Sequence, residues 1–376
     1  MRIDVLGGGP GGLYFSTLWK SRHPRDDVRV FEQNPADTTW GFGVVFSDRA
    51  LDFLREDDPE AIALIAPRMQ TWRDITIVHR GESVAIDGVG FSAIGRLELL
   101  QLLQRRARSV GVALEFDKTI GSLDELGGDL IVAADGVNSL VRRSLSDAFG
   151  TSITHLGNKF AWYGSTKTFE TLTQTFVAHD LGTFNAHHYR YDAGMSTFIV
   201  ECDPATWLRA GFDRASEEES RATCERVFAK TLQGHRLISN RSIWRNFPWV
   251  WNERWFHGNV VLIGDALRTA HFSIGSGTRL AIEDGLALVK ALEAEKSDLP
   301  AGLSRYQATR RPIVEKLVAA SKRSADWYEH FAGHMQLGPL ELAMSYVRRS
   351  GRVDDERLRE MAPRFMAQYD AARTKL

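Results

Sequence analysis

The stretch that most constrains this chain is near its start: Ile3-Asp4-Val5-Leu6-Gly7-Gly8-Gly9-Pro10-Gly11-Gly12. An apolar strand ends in Gly7-x-Gly9-x-x-Gly12, and a helix-compatible segment, Leu13 to Lys20, follows. Each glycine has a mechanical reason. Gly7 allows the tight turn out of the strand, Gly9 lets a pyrophosphate approach the backbone, and Gly12 lets helix and strand pack closely. The helix N-terminus then offers free N–H groups and a partial positive charge. A second apolar strand, Val28 to Phe31, ends in Glu32, twenty positions after Gly12 and at the place of a ribose-binding carboxylate. The chain is therefore organised around an ADP-containing dinucleotide.

Beyond Glu32, Trp40-Gly41-Phe42-Gly43-Val44-Val45-Phe46-Ser47-Asp48 reads as a tight loop, and Ala50 to Leu54 as a helix start. Residues 73–91 read as short strands with a hairpin at Arg80-Gly81-Glu82. A helix spans 96–106, with Arg96 in its first turn. That is the wrong end of a helix dipole for a cation, and a bound phosphate nearby would explain it. Two buried strands follow, Asp129 to Ala134 and Val260 to Ile263. Each ends in an acidic residue beside a glycine, Asp135-Gly136 and Gly264-Asp265. Ligands of open α/β sheets lie outside the carboxyl ends of strands, so both turns face one cofactor. Between them, residues 156–256 show period-2 stretches such as Ser196 to Val200, as expected of an inserted antiparallel sheet. A long helix runs from Gly277 to about Glu293. Residues 300–376 read as helical, with Pro300 and Pro312 as breakers and a basic stretch at Arg348-Arg349-Ser350-Gly351-Arg352.

Composition closes off other classes. A net charge of −1 argues against nucleic-acid binding, which needs a basic excess. Cys202 and Cys224 form no C-x-x-C pair and no metal-ligand spacing, so they read as reduced thiols with no metal site. No apolar run of about 18 residues is present, so no membrane span is expected and a cytoplasmic enzyme is the default.

Three motifs in order, Gly7-x-Gly9-x-x-Gly12 with Glu32, Asp135-Gly136-x-x-Ser139-x-x-Arg142, and Gly264-Asp265-Ala266 with Gly275-x-Gly277, resemble the single-component FAD-dependent aromatic hydroxylases of the p-hydroxybenzoate hydroxylase type. The resemblance covers essentially the whole chain. It implies an α/β fold: a Rossmann-like FAD-binding domain (1–72, 93–155 and 257–295), an inserted antiparallel β-sheet substrate domain (73–92 and 156–256) and a helical C-terminal region (296–376). It implies that Asp135 and Asp265 serve the flavin, Asp265 on the ribityl chain, and that Arg96 lies near the FAD phosphates. It further implies that NADH or NADPH docks transiently, since only one dinucleotide fingerprint is present. Gly43 to Asp48, His271 to Thr278, and Ser196 to Glu201 are most similar to hydroxylases of aryl-CoA thioesters such as salicylyl-CoA, and to the violacein-pathway hydroxylase of a tryptophan-derived substrate. Leu267-Arg268 departs from the usual Ala-His, and Phe272 from the usual proline.

On this resemblance, a flavin C4a-hydroperoxide formed with O2 hydroxylates an activated ring. Val44 and Val45 form a wall beside the isoalloxazine, and the helix start at Gly275 and Gly277 faces its pyrimidine edge. His271, His187 and Tyr163 are the candidates to withdraw the proton of the ring hydroxyl and so make the ring more electron-rich. The implied partners are a small aromatic substrate, as a CoA thioester, and O2, acting on a monomer or homodimer. The alternatives are a free indolic substrate and a non-catalytic FAD-binding redox module.

Overall fold

The computed structural model describes residues 1–47, 52–296 and 298–374, with the backbone alone for Asp52 and Phe53. Asp48 of the Gly43–Asp48 stretch, and Ala50 and Leu51 of the expected helix start, lie outside the described residues. Strand Arg2–Leu6 sits inside a six-stranded sheet, with Asp27–Phe31 and then Ala113–Glu115 on one side. Leu130–Ala133, Val260–Leu262 and the edge strand Phe256–His257 lie on the other. All pairings are parallel except the last. Every residue of Leu130–Ala133 is buried, as its unbroken apolar run requires. Helix Pro10–Arg22 is buried from Gly11 to Trp19 and packs on helices Arg96–Ser109 and Gly277–Ala294. Its Leu13, Phe15, Leu18 and Trp19 each contribute roughly 1.5–3 kcal/mol by leaving water.

The second sheet has eight strands and is antiparallel apart from one junction, where Ile75–His79 runs parallel to Leu172–His179. Its long strand Thr151–Ser165 begins before residue 156 and pairs on one edge with Arg245–Asn252. The expected hairpin is present: Ile75–His79 and Glu82–Ile86 are joined through Arg80 and Gly81, at φ 52° and 81°. Positive φ at both positions is what a type I′ turn needs.

Strand parity gives this sheet two different faces. One carries Ala161, Tyr163, Phe184, Ala186, Phe198 and Val200, packed with Cys224, Val227 and Phe228 from the helical segment beyond Glu217. The other carries Gln174, Phe176, His187, Tyr189, Ile199 and Glu201, paired residue to residue across neighbouring strands. This second face is covered by Trp327, Phe331 and Tyr346 of the C-terminal helices. A three-stranded sheet, Gly43–Ser47, Phe91–Gly95 and Gln70–Trp72, lies alongside. Tyr189 fastens it to the large sheet by donating from its hydroxyl to the Gly43 carbonyl at 3.0 Å.

The C-terminal part differs from expectation at its prolines. Pro300 is the second residue of a 31-residue helix, Leu299–Glu329, capped by Asp298, so it starts a helix and breaks none. Pro312 lies inside the same helix. The lost backbone hydrogen bond costs about 3 kcal/mol. Burial of Leu303, Tyr306, Val314, Ala320 and Tyr328 on either side offsets it. Among the described residues, no helix is long and apolar enough to cross a membrane.

Candidate active site

The carboxyl ends of Arg2–Leu6, Leu130–Ala133 and Val260–Leu262 lie side by side, and the three sequence motifs leave the sheet there. At the first, Gly7 has φ +107°, and a Cβ on it would lie 2.3 Å from the Ala134 carbonyl oxygen. A Cβ on Gly12 would meet the Gly7 carbonyl oxygen at 2.2 Å. Only glycine fits either place. A Cβ on Gly9 would meet nothing within 4 Å, so the backbone there borders open space. Gly9 caps helix Pro10–Arg22 without any side-chain bond, leaving the first-turn N–H groups without a side-chain acceptor. Glu32 accepts from Gly8 N at 2.8 Å and from the backbone and side-chain nitrogens of Asn34 at 2.9 and 2.7 Å. Gly8, Gly9, Glu32, Thr39, Arg96 and Phe116 share one pocket of about 120 Å³. Arg96 is the first residue of its helix and donates to Thr39 Oγ1 at 3.0 Å. Burial weakens its hold on its proton, and the facing Asp265 and Tyr189 work against that.

The second and third motifs are bolted together. Arg142, 1% exposed, donates to the carbonyls of Asp265 and Ala266 at 3.3 and 3.0 Å and to that of Val137. Asp135 Oδ2 accepts from Leu140 N at 2.7 Å, while its buried Oδ1 has no partner among the described residues. Burial raises the Asp135 pKa. Asp265 is open to solvent although protein surrounds it, the signature of a side chain on the floor of a cleft. Burial raises its pKa, opposed first by Arg268 and then by Arg96. Arg268, the departure from the usual histidine, turns away into the core. It pairs with the fully buried Asp284 at 2.8 Å and donates to the Gly264 carbonyl at 3.0 Å.

At the far end, Gly275 has φ +58°, and a Cβ on it would lie 3.2 Å from Val45 Cγ1, so the Gly275 turn and the strand Gly43–Ser47 face each other. Helix Gly277–Ala294 starts with no side-chain cap, and a Cβ on Gly277 would again meet nothing within 4 Å. Val44 is buried and Val45 half-buried.

His271 lies just before this turn, 2% exposed, with Nδ1 2.8 Å from Ser273 Oγ and its ring against Phe247, Phe272 and Tyr328. His187 is 4% exposed, and among the described residues neither ring nitrogen has a partner. Burial, and then the Arg349 charge, push both histidines down to about 3. His187 and His271 feel each other electrostatically and share one region. At neutral pH burial keeps both uncharged, so each ring offers one donor and one acceptor nitrogen. Tyr163, the third candidate, faces the opposite side of the sheet from His187, fully buried beside Cys224, because residue 163 has the other strand parity. Gln174 and Glu201, missed in the sequence, lie on the His187 face. Their only sequence signal was a polar residue at a core position of an alternating strand.

The geometry fits a long dinucleotide: a glycine turn, two uncapped helix starts bordering open space, and an acidic side chain on the cleft floor between them. That defines a dinucleotide-binding protein of the α/β class. A family profile described as "FAD binding domain" matches residues 98–321. Salicyloyl-CoA 5-hydroxylase of Streptomyces sp is 39% identical over 361 residues, covering 93% of this chain and 70% of the relative. A 3-hydroxy-4-methyl-anthranilyl-[aryl-carrier protein] 5-monooxygenase of Streptosporangium sibiricum is 36% identical over 87% of this chain and 89% of its own length. Protodeoxyviolaceinate monooxygenase of Chromobacterium violaceum is 34% identical over 92% of this chain and 94% of its own. The solved structure of 2-methyl-3-hydroxypyridine-5-carboxylic acid oxygenase superposes with TM-score 0.71 at 18% identity, covering 96% of both chains, and shares the fold. The chain belongs to the FAD-dependent aromatic monooxygenases, and FAD is its cofactor.

Proposed function

We propose that this protein hydroxylates the ring of an aryl-CoA thioester, of the salicylyl-CoA class, with NADH or NADPH as electron donor and O2 as oxidant. The observation that carries this reading is the 39% identity to salicyloyl-CoA 5-hydroxylase across 93% of the chain. Gly7, Gly9, Gly12, Glu32 and Arg96 hold the adenosine and pyrophosphate end of FAD; Asp135 and Asp265 hold its middle; Val44, Val45, Gly275 and Gly277 enclose the ring system. When bound, FAD supplies the electron transfer and the oxygen chemistry. The chain supplies position, dryness and the uncapped helix start at Gly277, whose partial positive charge stabilises negative charge beside it. His187 and His271 act as neutral hydrogen-bond partners, and Tyr163 has no part in the site. The FAD-binding unit comprises 1–72, 93–155 and 257–295, the substrate unit 73–92 and 156–256, and the C-terminal unit 296–376. The protein acts in the cytoplasm as a monomer or homodimer.

A CoA substrate needs cations for its phosphates. Arg352 has the positive charges of Arg279 and Arg357 for neighbours, and after burial they are what lowers its pKa. Among the described residues neither Arg352 nor Arg357 has a carboxylate partner. Arg349, from the same stretch, donates to the Ser273 carbonyl at 2.8 Å and ties it to the Gly275 turn. This cationic group supports a phosphate-bearing substrate over a free indole, the reading that protodeoxyviolaceinate monooxygenase would suggest. The test is NAD(P)H oxidation in air with salicylyl-CoA, anthraniloyl-CoA, their free acids and tryptophan-derived indoles. Stimulation by a thioester with a hydroxylated product supports the reading, and stimulation by indoles alone overturns it.

A further inference from the structure

The covered face of the large sheet holds three buried polar side chains with unused bonding capacity. Gln174 is 1% exposed, and among the described residues neither its amide oxygen nor its nitrogen has a partner. His187 stands directly opposite it on the next strand, and neither of its nitrogens has a partner among the described residues. Glu201 is 2% exposed; Asn158 Nδ2 donates to its Oε1 at 2.9 Å, and its Oε2 has no partner among the same residues. Nine in ten or more buried polar groups find a partner, and leaving one bare costs about 1–3 kcal/mol. Two adjacent side chains that leave four polar atoms unused therefore mark a place where a ligand's polar group completes the bonding.

The position agrees. Tyr189, on the same face and two residues from His187, touches the strand Gly43–Ser47 that walls the flavin site. Two residues along a strand span about 6.6 Å, the size of one aromatic ring and its substituent. The chemistry narrows the ligand. A neutral amide and a neutral imidazole each offer a donor and an acceptor. Burial keeps His187 uncharged and pushes Glu201 up to about 8, so it too is a neutral acid at pH 7. The cation that faces His187 is Arg349, whose three guanidinium nitrogens are already engaged by Ser324 Oγ, the Tyr346 carbonyl and the Ser273 carbonyl.

We propose that Gln174 and His187 are the specificity pair that recognises an uncharged hydroxyl or amino substituent on the substrate ring. Both substituents donate and accept, so the pair accepts either and rejects a hydrogen or methyl at that position. This inference rests on the aryl-CoA reading for the tether, while the ring recognition itself is independent of it.

The test is a titration of the FAD-loaded protein without NAD(P)H, following the flavin absorbance change on binding. The probes are 2-hydroxybenzoyl-CoA, 2-aminobenzoyl-CoA, benzoyl-CoA, 2-methylbenzoyl-CoA and the four free acids. The wild type is expected to bind the hydroxyl and amino probes on the order of 10²-fold more tightly than the bare and methyl ones. Gln174→Met and His187→Phe each bring that ratio below about tenfold, while His187→Gln, which keeps donor and acceptor, retains most of it. Flavin content and melting temperature of each variant report folding. Absence of preference in the wild type, or an unchanged ratio in Gln174→Met and His187→Phe, overturns the inference. Binding of thioesters with a Gln174-independent ratio sinks this inference and leaves the aryl-CoA reading standing. Binding of free acids alone with a Gln174-dependent ratio does the reverse.

Discussion

Asp284 offers a sharp test of how the flavin turn is held. Its carboxylate is fully buried. One oxygen accepts from Gly264 N at 3.0 Å and Arg268 Nη2 at 2.8 Å, and the other from Arg310 Nε at 3.0 Å. Arg310 keeps a second partner, Glu283 at 2.7 Å, whereas among the described residues Arg268 forms its ion pair with Asp284 alone. Asp284→Ala therefore leaves a 1%-exposed guanidinium without its ion-pair partner and strips Gly264 N of its acceptor. Breaking one side of such a pair costs about 3–5 kcal/mol. Unfolding entropy of roughly 2.1 cal/mol/K per residue converts this, for a chain of this length, to a melting-point loss of about 4–6 °C. Asp284→Asn keeps the acceptor for Gly264 and loses only the charge, so it falls in between. Thermal unfolding at fixed, saturating FAD measures the difference. FAD affinity drops alongside, because Gly264 precedes Asp265 on the cleft floor. A loss under about 1 kcal/mol for Asp284→Ala would refute the claim that this ion cluster positions the turn.

Three further outcomes are expected. Gly12→Ala places a methyl 2.2 Å from the Gly7 carbonyl oxygen, so the purified protein retains little flavin; unchanged FAD content by absorbance would contradict the close-packing argument. Arg352→Ala with Arg357→Ala raises KM for an aryl-CoA roughly tenfold and leaves KM for the matching pantetheine thioester, which lacks phosphate, within about twofold; an equal change in both would disprove phosphate anchoring. The folded Glu201 carboxyl sits at about 8 against an ordinary 4.5. Between those values the folded state keeps a proton that the unfolded state releases, so Glu201 lowers stability progressively as pH rises through this window. His187 and His271 act oppositely, costing stability as pH falls from 6.5 towards 3. Glu201→Gln therefore gains melting temperature relative to the wild type from pH 5 to pH 8; a constant difference would show that the carboxyl is ionised throughout.

What was legible in the sequence was local. Gly7, Gly9 and Gly12 could be read because each answers a constraint set within a dozen residues, and the structure shows the same three constraints as a positive φ, an open face and a close contact. The Arg80-Gly81 hairpin was legible for the same reason. Arg268 was not, because its meaning comes from Asp284 on the following helix and Arg310 on the one after that. The face that Tyr163 takes was not legible either, because one residue of register moves a side chain to the other face, and the partner strand that fixes the register lies over thirty positions away. Gln174 shares that difficulty: it looks like an ordinary polar strand residue until His187 is placed opposite. Pro312 shows tertiary packing overriding a local rule.

The central claim is met most directly by one measurement: oxidation of NADH and NADPH in air by the FAD-loaded protein, with and without 2-hydroxybenzoyl-CoA, and mass spectrometry of the product. The account expects strong stimulation by the thioester, weak or no stimulation by the free acid, and a product one oxygen atom heavier. Bound flavin with no thioester-stimulated oxidation, or oxidation without oxygen insertion into the ring, would contradict it.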